Sequence, residues 1–121
     1  MESILDSIKK MVLGNSEETH FDLDLIIHIN SVFATLNQMG VGPETTFSIE
    51  DNGTIWSEFT EEDILFNNVK TYMYLKVKQV FDPPASSSVL AAMERQISEL
   101  EWRLNVSASN KTMEETDEDD E

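Results

Sequence analysis

The sequence contains no cysteine, which excludes disulfides, thiolate metal sites and a thiol nucleophile in any compartment. Histidine is almost as scarce, with only His20 and His28 available for acid-base or metal chemistry. Positive charge is short too: Lys and Arg total 8 against 24 Asp and Glu, for a net charge of −16. The few cations form no dense run, so the counterion release that drives nucleic-acid affinity has little to act on. Such a surface repels a duplex more than it holds one. No apolar run approaches the roughly 20 residues needed to cross a bilayer, and the opening residues lack the basic-then-apolar plan of a signal peptide. The expectation is a soluble, cytoplasmic chain with no membrane contact. Phosphate-binding glycine loops, nucleophile elbows and zinc motifs are also missing, so an enzyme is not expected and no cofactor is implied.

What is present is helix-forming pattern. With 121 residues, of which 40% are hydrophobic, the chain can build one modest core, and a domain this small commonly gains stability from neighbouring subunits. Ile4, Leu5, Ile8, Met11 and Val12 recur at helical spacing from Ser3 to Leu13, with Gly14 placed as a C-terminal stop. A second helix should start with Asp22 as N-cap, stapled by Phe21 and Ile26, and run to about Met39 before Gly40. Its stripe of Ile26, Ile29, Val32, Phe33 and Leu36 is widened by Leu25 and Ile27, so it needs cover on more than one side. Phe47 and Ile49 then alternate with polar residues before Asp51-Asn52-Gly53, and a β-hairpin from Phe47 to Trp56 is expected around that turn. Trp56 and Phe59 would pin it to the helices.

Thr60 and Asp63 resemble a capping box for a third helix that reaches Phe81, is apolar nearly all round near Tyr72–Leu75, and stops at Asp82-Pro83-Pro84. Ser86, Ser87 and Ser88 offer N-caps for a fourth, whose Leu90, Met93, Ile97, Leu100 and Leu104 form a narrow seam. The expected fold is therefore mainly α. It comprises a small bundle of about four helices in residues 1–106, a short hairpin between the second and third helices, and a disordered acidic tail over residues 107–121.

The search for chemistry finds little. Asp24 and His28, one turn apart, supply at most two metal ligands and read as an ordinary helix-surface pair. Asp51-Asn52-Gly53 lacks the ligand spacing and closing Glu of a calcium loop, and reads as a hairpin turn. Trp102 stands out because it falls outside the apolar seam, on the face that carries Arg95 and Glu99. It suits either an interface hot spot or packing against the hairpin of the same subunit. Arg95 and Arg103 could pair with carboxylates of an adjacent acidic subunit. Trp102, Arg95, Arg103 and Glu99 are thus the candidate interface for a neighbouring subunit or another protein partner, and Asp51, Asn52 and Gly53 the candidate hairpin loop.

Several segments together resemble a known family. They are Ser3-Ile4-Leu5-Asp6-Ser7-Ile8-Lys9-Lys10, His28-Ile29-Asn30-Ser31-Val32-Phe33, Gly40-Val41-Gly42-Pro43 and Trp56-Ser57-Glu58-Phe59. Later come Val69-Lys70-Thr71-Tyr72-Met73-Tyr74-Leu75-Lys76-Val77, Phe81-Asp82-Pro83-Pro84 and Gln96-Ile97-Ser98-Glu99-Leu100-Glu101-Trp102-Arg103-Leu104-Asn105. In this order, from Met1 to about Val106, the chain resembles the head-tail connector (adaptor, or head-completion) proteins of long-tailed bacteriophages. The resemblance implies a structural virion protein that forms a homo-oligomeric ring, usually a dodecamer, beneath the portal. Such a ring closes the DNA-filled head and gives a docking surface to a stopper, tail-completion or tail protein. It further implies assembly in the host cytoplasm, a final place at the neck of the virion, and genome DNA passing through without specific binding. The alternative from charge alone is an acidic regulatory or DNA-mimic protein that occupies a nucleic-acid-binding partner. That reading explains the carboxylates but not the hydrophobic helix design.

Overall fold

The structure, a computed structural model, describes the backbone of residues 2–119 and the side chains of residues 2–110. Four α-helices follow in order: α1, Ile4–Leu13; α2, Asp22–Gln38; α3, Asp63–Phe81; and α4, Ser87–Asp119. A single 3₁₀ turn, Trp56–Glu58, sits between α2 and α3. Helix α3 lies at the centre and packs on α1, α2 and α4, consistent with the apolar run around Tyr72–Leu75. Val69, Tyr72, Met73, Leu75 and Val77 are all buried along it.

Local chemistry sets most helix ends. The Ser3 hydroxyl accepts the Asp6 N–H at 3.2 Å to start α1, and Gly14 at φ 76° ends it while its N–H bonds to the Lys10 carbonyl. The Ser86 hydroxyl accepts the Val89 N–H at the start of α4. Two expected caps are corrected. Helix α2 is capped by Phe21 without a side-chain bond, and Asp22 falls inside the first turn, where its carboxylate pairs with Lys9 of α1 at 2.8 Å. The Lys9 side chain is almost wholly buried, and satisfying that buried ammonium takes precedence over capping. Phe21 packs edge-on against Phe81 at the end of α3, with ring centroids 5.2 Å apart. Likewise α3 is capped by Glu62 without a side-chain bond, and the Thr60 hydroxyl accepts the Glu62 N–H one residue earlier than a capping box requires.

The expected β-hairpin is not formed. Asp51-Asn52-Gly53 does make a turn, in which the Asp51 carboxylate accepts the Gly53 N–H at 2.8 Å. The tight hairpin turn that an Asn-Gly pair favours needs positive φ at both central residues, and neither Asn52 nor Gly53 has it. Each arm finds another partner. The Asn30 side chain of α2 bonds both the N–H and the carbonyl of Ile49. The other arm runs against the N-terminus: Ile4 N–H donates to the Thr54 carbonyl at 3.0 Å, Trp56 N–H to the Glu2 carbonyl at 3.2 Å, and Ser3 and Ile55 form an isolated antiparallel bridge.

Trp56 and Phe59 do pin this segment to the helices. Trp56 is fully buried, donates from Nε1 to the Ser7 hydroxyl at 2.8 Å, and joins Phe33, Phe47, Phe59 and Phe66 in one aromatic cluster. Ser7 in turn donates to the Ile4 carbonyl, so no polar atom of this buried chain is left unpaired. Truncating a tryptophan so placed costs about 3–5 kcal/mol. Gly42, at φ 90°, lies so close to the Phe59 ring that a Cβ there would sit 2.5 Å from it.

Met93, Ile97, Leu100 and Leu104 of the expected α4 seam are buried against this core, and Leu90 is half-buried. The helix continues past Val106, with Ala108 packed on the core cluster, and its backbone runs through Asp119. The tail expected to be disordered falls, from residue 111 on, on side chains outside the described residues.

Candidate functional site

Helix α4 presents two unlike faces. The seam looks inward, and about 100° per residue places Arg95, Glu99, Trp102 and Val106 together on the outside. Trp102 is 66% exposed, so it does not pack within its own subunit against the segment where the hairpin was expected. Glu99 and Arg103 pair with each other along the helix at 2.6 Å. Arg95 is exposed and has no ion pair among the described residues. The structure thus brings Trp102, Arg95 and Glu99 onto one solvent-facing stripe with Arg103 tied to its edge. Asp51, Asn52 and Gly53 are exposed on their turn, and no hydrogen bond among the described residues ties them to that stripe.

Behind the stripe, the Tyr72 hydroxyl of α3 donates to the Glu101 carboxylate at 3.0 Å. Burial raises the Tyr72 phenol well above its ordinary range, and the hydrogen bond and negative charge of Glu101 add to the effect. The bond fixes the register of α4 on α3. Asp24 and His28 make no hydrogen bond to each other among the described residues, and no group of three or more His, Asp or Glu there could hold a metal ion. None of the described helices is long and apolar enough to cross a membrane.

One surface feature has no trace in the sequence, and another is only half announced there, by the widening of the α2 stripe at Ile27. The first is a groove of about 960 Å³ between the end of α3 and the start of α4, lined by Leu75, Pro83, Pro84, Val89, Met93 and Arg95 among others. The other is a ridge on the outer face of α2, where Leu23 is 72% and Ile27 58% exposed one turn apart. The surplus of apolar residues in Leu23–Ile27 was the available signal for the ridge. The groove had none, because it arises only when α4 folds back across the Pro83-Pro84 corner. A second cavity of about 610 Å³ lies at the opposite end, between Gly40–Pro43, Phe59 and Ala108.

No curated protein and no solved structure matches the chain. A family model described as phage connector protein does match, over residues 4–111, a span that takes in α1, α2, α3 and most of α4. Since the match covers well over half of the chain, the chain belongs to the phage connector protein family.

Proposed function

We propose that this connector protein forms a closed homo-oligomeric ring of about twelve copies beneath the portal, seals the filled head there, and presents a docking surface to a stopper or tail protein. Family membership makes it a head-tail connector component of a bacteriophage in general terms; the ring, its portal contact and its place at the neck are the finer reading. The observation that carries the reading is the family match across residues 4–111. It is supported by the large apolar side chains left exposed on α2, α3 and α4 outside a closed core, which a ring subunit would cover with neighbours. Trp102, with Arg95, Glu99 and Arg103 around it, has the composition of an interface hot spot for an adjoining subunit or the portal. The net charge of −16 suits a conduit whose walls do not hold passing DNA. No catalytic step is assigned to it.

Electron microscopy of the full chain mixed with its purified portal tests the proposal. The expected result is added ring density on the tail-facing side of the portal. A protein that stays monomeric and leaves portal particles undecorated overturns it.

A further inference from the structure

We propose that neighbouring subunits join by seating the Leu23–Asp24–Ile27 ridge of α2 in the α3–α4 groove of the next copy, with Asp24 meeting Arg95. The inference rests on the ring reading and names the surfaces that would close it.

The groove is electrostatically unusual for this molecule. Of the charged residues that line it, Asp82 is paired with Lys78 of the groove, and Glu99 with Arg103. Arg95 is left with no carboxylate among the described residues. In a chain of net charge −16, the four charges lining this concavity are two of each sign and Arg95 is the one without an ion pair, so it opposes an acidic body less than most of the surface does and offers it one unmatched guanidinium. Beside the polar Gln96, its walls include the apolar Leu75, Pro83, Pro84, Val89 and Met93. The occupant must therefore offer apolar side chains beside a carboxylate.

The ridge meets both conditions. Leu23 and Ile27 stand exposed one turn apart, and the exposed Asp24 between them has no ion-pair partner among the described residues. The acidic C-terminal run does not, since no apolar residue follows Met113. Exposed Ile64 with Glu61, Glu62 and Asp63 is a second acidic-apolar spot, but it lies at the other end of α3. Rotation about a ring axis preserves height along that axis, so for helices aligned with it two mating patches must occupy the same level. The Phe21–Phe81 contact places the start of α2 beside the end of α3, at the level of the groove. Helix α3 packs between α2 and α4, so ridge and groove occupy different flanks. That arrangement is the requirement for a head-to-tail contact that repeats around a ring.

The test uses full-length chains with Arg95→Glu, Asp24→Arg or both, whose melting curves report that each variant folds. Assembly is followed by sedimentation and electron microscopy, with and without purified portal. Each single reversal is expected to weaken the subunit contact by about tenfold or more. The double variant, and an equimolar mixture of the two single variants, should assemble again, because every ridge then finds a groove of opposite charge. Single variants that assemble like the wild type, or folded single variants that neither arm rescues, overturn the ridge-in-groove contact and leave the connector reading standing. A wild-type chain that assembles under neither condition overturns both.

Discussion

Asn30 grips Ile49 at both of its backbone polar groups: its Nδ2 donates to the Ile49 carbonyl at 2.9 Å, and its Oδ1 accepts the Ile49 N–H at 2.8 Å. One side-chain amide thus does for Ile49 what a neighbouring strand does in a sheet, and holds the long α2–α3 connection to α2. Asn30→Ala is expected to lower unfolding free energy by about 2–3 kcal/mol, because two partly buried backbone groups lose their partner at once. Asn30→Asp should cost nearly as much, since a carboxylate keeps the acceptor but faces the Ile49 carbonyl without a proton. Urea unfolding followed by tryptophan fluorescence checks both, as Trp56 lies in the same cluster.

The Lys9–Asp22 pair joins α1 to α2 with the lysine buried and the aspartate partly open to solvent. Asp22→Ala leaves an ammonium in the core without its counterion and should destabilise by about 2–3 kcal/mol, below the cost for a fully enclosed pair. Lys9→Met combined with Asp22→Ala should recover most of that loss. A double-mutant cycle from denaturation midpoints measures the coupling.

Tyr72 gives the fold an alkaline limit. Its phenol is held above the unfolded value of 10.0 by burial and by Glu101. From pH 10 upward the folded state therefore keeps a proton that the unfolded chain releases. The stability contributed is intact below about pH 10 and is lost as pH rises toward the folded value, by at most about 1.4 kcal/mol per pH unit. Tyr72→Phe should flatten this alkaline decline in melting temperature, while costing about 1 kcal/mol at neutral pH for the lost bond.

Trp102 separates stability from assembly. Trp102→Ala is expected to change the unfolding free energy by no more than about 0.5 kcal/mol, as for other exposed positions. The same change should weaken assembly on the portal by tenfold or more, the scale of an interface hot spot. Parallel thermal melts and portal-binding assays check the contrast.

Much of the fold was legible because its helices are specified locally. The α1 and α2 stripes, the α3 stop at Asp82-Pro83-Pro84 and the α4 seam all follow from periodicity and punctuation within a few residues. The hairpin failed because the Asn52-Gly53 signal is equally local, whereas the pairings that won are distant ones: Asn30 for one arm, Glu2–Ile4 for the other. Asp22 was read as a cap since nothing nearby announces that Lys9, thirteen residues earlier, will be buried against it. Of the candidate site, the outward placement of Trp102 followed from helical angles alone. The groove did not: the Lys78–Asp82 and Glu99–Arg103 pairs are each one helical turn apart, but the helices that carry them meet only in the folded chain.

The clasp between the N-terminus and the Thr54–Trp56 segment carries a consequence for synthesis. Of the four helices α1 leaves the ribosome first, yet its opening amide at Ile4 and its Ser7 hydroxyl are both completed by residues about fifty positions downstream. A nascent chain halted before Thr54 carries a first helix whose docking face is unfinished. The first-made of these four helices is therefore among the last to be locked, and ribosome-stalled chains that still hold Trp56 inside the exit tunnel should differ sharply in protease resistance at residues 2–13 from longer chains that have released it.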